Sequence, residues 1–191
     1  MQDNFYTEFN IEDICSQVQI PLTGLEEHSY YTYFAKEYIE RAKAFKITCD
    51  LIYNHIWTYL GGNEVNKNFN IIIGLCNALI FNEFHFIELF FKGIAKYLQI
   101  EFESTHKSIE FIIKTISENY PQYYNKIIVA KDQWNNVKNY CNDPRPGGYP
   151  DNKQGKINFH NGNLWLKGTK HNIDLIYNNF LEIIKEIKRN K

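Results

Sequence analysis

The segment 68–100 constrains this chain more than any other. It is Phe, Ile, Leu and Ala around most of its circumference once wound on a helix. At ~100° per residue, Asn70, Gly74, Asn77, His85, Glu88, Lys92 and Gln99 gather within roughly a quarter of that circumference. A helix this apolar has to be enclosed by other helices, so it forms the axis of the domain. Its polar stripe is then either a slit open to solvent or a polar seam inside a bundle.

The flanking sequence supplies the enclosing helices. Residues 1–24 read as a lead-in with a short helix near 11–18 that stops before Pro21. Thr23 and Glu26 then have the spacing of a capping box. Residues 25–191 read as a single domain. Its first helix, 25–60, repeats Tyr30, Phe34, Tyr38, Ala42, Phe45, Cys49, Ile52, Ile56 and Leu60 every three to four residues, and Gly61-Gly62 stops it. The short link that follows makes the axial helix an antiparallel neighbour. Helices are expected near 105–118 (Ile109, Ile112, Ile113, Ile116), 122–141 (Tyr124, Ile127, Ile128, Trp134, Val137, Cys141) and 172–188 (Ile173, Ile176, Phe180, Ile183, Ile184, Ile187). Between the last two, residues 142–168 read as an insertion. The turn-rich run DPRPGGYPDNKQG is followed by Asn161-Gly162 between two alternating stretches, a β-hairpin signal. The expected fold class is all-α: an antiparallel helical bundle with two long helices and a small β-hairpin before the C-terminal helix.

Composition limits the function. The chain has 191 residues, 44% of them apolar, enough to fold without disulfides or metal. A net charge of −1 excludes whole-molecule attraction to nucleic acid or to an anionic membrane, leaving only local patches. The abundance of Ile, Asn, Lys, Tyr and Phe fits a base-composition bias, so the aromatic content is no argument for base stacking. Cys15, Cys49, Cys76 and Cys141 lack metal spacing, which points to reduced buried thiols and a cytoplasmic location. The start Met-Gln-Asp-Asn-Phe has no basic or apolar region, so no signal peptide is expected. Asn77, Asn82, Glu83, His85 and Glu88 interrupt the best candidate for a membrane span, and no membrane partner is expected.

His85 and Glu88 lie one helical turn apart. As a metal half-site they would need a matching ligand set on another helix, so neither metal nor cofactor is expected. The preferred reading is a buried polar seam of Asn77, His85, Glu88 and Lys92. No nucleophile elbow and no phosphate-binding loop occurs. His106 caps the third helix in the run STHKSIEF, while His160 lies beside the Asn-Gly turn and His171 near a helix start. The loop carrying Arg145 and Tyr149, stiffened by Pro144, Pro146 and Pro150 and adjoining Lys138 and Asn139, is the candidate contact surface for a partner or for nucleic acid.

The order of helices resembles that of the HEPN superfamily of nucleic-acid-associated bundles. The resemblance rests on the long antiparallel pair, Glu88-x-x-x-Lys92 in ELFFKGIAKYL, a short link, and His106-x-x-Ile109-x-x-Ile112 opening the next helix. It spans residues 25–141 and the last helix. The family's ribonucleases carry an Arg and, about four to six residues later, a His on a late helix. None of Arg41, Arg145 and Arg189 is followed that way, and Lys138, where such an Arg is expected, lacks the guanidinium fork. The resemblance therefore implies a non-catalytic module acting through a homodimer or a protein partner, in bacterial defence or a toxin–antitoxin-type system. Two alternatives stand beside it. One is a ribonuclease or nucleotide-modifying enzyme in which His85, Glu88, His106 and Lys138 converge. The other is nucleic-acid binding through Lys138, Arg145, Lys153 and Lys156.

Overall fold

The computed structural model describes residues 27–61, 69–103, 105–141 and 166–190. They form five α-helices: α1 (Glu27–Gly61), α2 (Phe69–Tyr97), α3 (Ser108–Asn119), α4 (Tyr124–Cys141) and α5 (Leu166–Arg189). A single 3-10 turn, Pro121–Tyr123, joins α3 to α4. Among the described residues there is no strand.

The apolar axis forms as its composition requires. α2 packs against each of the other four helices, and its longest interface is with α1. The two pack closely at Gly93. A β-carbon there would come within 2.5 Å of Ile39 Cδ1 and 3.3 Å of the Ala35 carbonyl oxygen, so a larger residue would force Ile39 to move. The core side of α1 is accordingly Ala35, Ile39, Ala42, Cys49 and Ile56, whereas Phe45, Ile52 and Leu60 pack only at its margin. The small Ala35 and Ala42 let the two helices pack closely, and of the two only Ala35 was missed by the periodicity.

The C-terminal half of α2 is its more buried half. Phe90 stacks on Phe180 of α5 at 5.0 Å, Phe91 meets the same ring edge-on at 5.1 Å, and Phe84 stacks on Trp134 of α4 at 4.7 Å. Each such aromatic pair adds about 0.5–1.5 kcal/mol beyond area burial. On α3 and α5 the expected faces are the buried ones: Ile109, Ile112, Ile113 and Ile116, then Ile173, Ile176, Phe180, Ile183, Ile184 and Ile187. On α4 the inward positions include Ala130 and Gln133, and Tyr124 is exposed while Tyr123 takes the core position. A four-membered ring of charges clamps α5 to α1. Lys46 meets Asp50 at 2.5 Å and Asp174 at 3.0 Å, and Lys170 meets Asp50 at 3.1 Å and Asp174 at 2.5 Å.

Two boundaries differ from the sequence reading. α2 ends at Tyr97 without a glycine. Gln99 takes a left-handed φ of 57°, its amide donates to the Lys96 carbonyl at 3.2 Å, and the Ile100 amide donates to the Ala95 carbonyl at 2.8 Å. These are the paired bonds of a Schellman cap, in which Ile100 tucks back onto the helix. A side chain there is strained, so burying Ile100 has to offset the strain. The second difference is at α5, which starts at Leu166 rather than 172. Leu166, Lys167 and Gly168, expected in the hairpin's second strand, are helical. The Asn161-Gly162 turn, the lead-in 1–24, the 143–155 loop and the Thr23–Glu26 capping box lie outside the described residues.

Candidate functional site

The polar stripe of α2 changes character along its length. Gly74 is exposed and Asn77 half-buried. Further along, His85 is partly covered, and Glu88 and Lys92 are buried. The stripe is thus open near the helix start and becomes an internal seam where α3 and α4 close over it.

Glu88 is the centre of that seam. Its Oε1 accepts a hydrogen bond from Lys92 Nζ at 2.6 Å, one turn along α2. Its Oε2 faces two imidazoles, His106 Nδ1 at 2.7 Å and His85 Nδ1 at 3.4 Å. Glu88 is 3% exposed. Burial opposes its ionisation, but the hydrogen bonds from His85 and Lys92 and the charges of Lys92 and His106 outweigh it, and its pKa falls to about 2. The histidine rings stand 6.0 Å apart. His85 is boxed by Phe45, Phe81 and Phe84, with centroids at 5.2, 4.5 and 5.3 Å. His106, in the link before α3, has a side chain 64% exposed.

The structure therefore brings His85, Glu88, Lys92 and His106 together, and leaves Asn77 apart on the half-buried stretch. Lys138 does not join them. Its Nζ donates to Glu110 Oε1 of α3 at 2.6 Å, because the C-terminal end of α4 lies beside the start of α3. Asn139 falls within α4, while Arg145, Tyr149, Lys153, Lys156 and His160 lie outside the described residues. His171 is an exposed residue inside α5. Glu103-x-x-His106 does have metal-ligand spacing, but it lies in the non-helical link. Among the described residues no group of three His, Cys, Asp or Glu side chains is placed to hold a metal.

A second buried carboxylate escaped the sequence reading, which took Glu83 only as an interruption of an apolar run. Glu83 is 1% exposed, and no cation pairs with it among the described residues. Burial drives its pKa up to about 8, against a hydrogen bond from Gln133. Its Oε1 has no partner among the described residues. Gln133 Oε1 in turn accepts from Asn172 Nδ2 at 3.2 Å, tying α4 to α5. Burial, with the nearby Glu83 charge, also pushes the Cys49 thiol upward, so this cysteine stays protonated. Cys76, half-buried, is shifted the same way by burial.

Away from these groups, the arm made by residues 51–61 of α1 and 69–82 of α2 contains no Asp, Glu, Lys or Arg. Leu51, Trp57, Ile71 and Phe81 are exposed on it. The stretch Ile71–Tyr97 is long and apolar enough to cross a membrane by length and composition, with 33% of its most apolar window buried. The polar residues that interrupt it are too few to fail that criterion.

Compared with known proteins, the chain matches no family model, no curated protein and no solved structure.

Proposed function

We propose that the chain is a non-catalytic, HEPN-like interaction module that acts in the cytoplasm by pairing, with itself or with a protein partner, through its uncharged helical arm. What supports this reading is the arm. Two adjoining helical stretches carry no formal charge and expose Leu51 at 64% and Phe81 at 39%. Large apolar side chains exposed together on one uncharged arm are the kind of surface that marks an interaction site. Protein is favoured over lipid as its cover because the link between the helices carries Glu64 and Lys67 and the deeper part of α2 buries Glu88 and Lys92. A role in bacterial defence follows from the family resemblance alone.

Light scattering on the full chain tests the proposal. A mass above the 22.8 kDa monomer, or a stoichiometric complex with one co-purified protein, is expected for the native chain. Leu51→Glu and Phe81→Glu are expected to abolish it while leaving the helical circular dichroism intact. A monomer that captures no protein, or association untouched by both substitutions, refutes it.

A second reading, an enzyme acting on RNA or a nucleotide, draws on one observation: His85, Glu88 and His106 meet. Glu88 is too buried to touch a substrate, and Lys138 is engaged elsewhere, so the two imidazoles would have to perform the chemistry. Cleavage of a labelled oligoribonucleotide that His106→Ala abolishes would establish this reading; its absence removes it.

A further inference from the structure

We propose that His106 is a phosphoryl-accepting side chain: its Nε2 takes a phosphoryl group from a phosphoramidate or an acyl phosphate, activated by the buried carboxylate of Glu88 behind it. This goes beyond the pairing role and does not depend on it.

The geometry supplies three requirements of a nucleophilic imidazole. The first is orientation. Nδ1 lies 2.7 Å from Glu88 Oε2, and the two nitrogens of an imidazole sit on different edges of the ring, so Nε2 is directed away from the buried carboxylate. The second is the tautomer. Glu88, ionised and acceptor-only, demands a proton on Nδ1, which leaves the lone pair of the neutral ring on Nε2. The third is access: the side chain is 64% exposed while its carboxylate partner is 3% exposed. The charge that develops on the ring during attack then lies beside a fixed anion. Lys92 does not compete for that oxygen, because it binds Oε1.

No other described histidine combines these features. His85 also faces Glu88, but three phenylalanine rings enclose it. His55 and His171 are exposed, and neither has a carboxylate partner among the described residues.

The surroundings favour a phosphoryl group over a neutral acyl group. Lys107 follows His106, α3 begins at Ser108, and no side chain caps that helix start. The acid in its first turn, Glu110, is ion-paired with Lys138. A phosphoryl dianion on His106 would therefore lie close to the positive end of α3. The transfer is balanced without an oxidant or reductant. The Nε2 lone pair forms the N–P bond as the donor's P–N or P–O bond breaks. The leaving group departs as neutral ammonia from the nitrogen-protonated phosphoramidate, or as a carboxylate, and the Nδ1 proton stays in its hydrogen bond to Glu88.

Phosphoramidate and acetyl phosphate, applied to the full chain at neutral pH, test this. The phosphorylated histidine is mapped by mass spectrometry, and ³¹P NMR distinguishes the two ring positions. His106 is expected to react at Nε2 about tenfold or more faster than His55 and His171 in the same molecules. The preference is expected to vanish in concentrated urea. In variants that keep their circular dichroism, Glu88→Gln should lose it and Glu88→Asp should retain part of it. Equal reaction of the exposed histidines in the folded chain overturns the proposal, and needs no variant to be seen. So does reaction at Nδ1. A preference shown only toward the neutral acylating reagent diethyl pyrocarbonate also overturns it, because the site would then not be selective for phosphoryl donors.

Discussion

Two buried carboxylates on one helix meet opposite fates. Glu83 and Glu88 lie five residues apart on α2, and both are almost wholly removed from water. Glu83 faces Gln133, with no cation within reach among the described residues, and its pKa rises to about 8. Glu88 faces Lys92, His85 and His106, and its pKa falls to about 2. Burial is common to both, so the partners decide. Neighbours contributed by α2 itself and by the 98–107 link can offset the desolvation of a charge, whereas a neutral amide from α4 cannot.

The largest effect is expected from breaking the charged side. Glu88→Ala strands the Lys92 ammonium in the core and should cost about 3–5 kcal/mol in urea denaturation. The double substitution Glu88→Leu/Lys92→Met should cost much less than Glu88→Ala alone. If both variants cost the same, the pair is not a coupled unit.

The neutral side should respond in the opposite sense. Glu83 binds a proton more tightly folded than unfolded, so between about pH 4.5 and 8 the native state holds more protons and stability falls as pH rises. At ~1.4 kcal/mol per pKa unit, Glu83→Gln should stabilise the fold by on the order of 5 kcal/mol above pH 8 and flatten that slope. Glu88 acts on the acid side. Its folded pKa is depressed, so its contribution is complete above about 4.5 and is lost as pH falls toward 2. Between them, the two groups place a stability maximum near pH 4.5–5. A thermal-melt series across pH that rises steadily from 5 to 8 would contradict the assignment of Glu83.

Smaller effects sharpen the contrast. Gln133→Leu removes the donor that Glu83 has and should cost about 1–2 kcal/mol near neutral pH, with the alkaline slope displaced to higher pH. His106→Gln removes one exposed partner of Glu88 and should cost about 0.5–1 kcal/mol. It should shorten the acid limb, which would then end above pH 2, because Glu88 loses a partner that favours its ionised form.

Much of the architecture was legible in the residues. The apolar run of α2, and the three- and four-residue spacing of isoleucines on α3 and α5, announce which faces are buried, because a helix repeats every 3.6 residues whatever surrounds it. The seam was legible only in part. Glu88 and Lys92 are one turn apart on one helix and meet for that reason. His106 is 18 residues further on, in a link whose path depends on the left-handed turn at Gln99, and no periodicity connects it to Glu88. Glu83 looked like a flaw in an apolar segment because its environment is built by Cys49, Gln133 and Asn172, which come from three other helices. The start of α5 was misplaced for a related reason. Local alternation around Leu164 and Leu166 suits a strand, yet 166–168 continues the helix whose neighbouring turn is clamped to α1 through Lys170 and Asp174.

The order of amino acids alone determined that this chain is helical, that residues 69–97 form its centre, and which sides of α3 and α5 face inward, since those properties follow from spacing along one helix. Only the tertiary structure decided which buried carboxylate carries a charge and which histidine stands in solvent with an anion at its back. Both depend on distances of a few ångströms between groups far apart in the chain, where the strength of an electrostatic contact is set by the neighbours that exclude water from it.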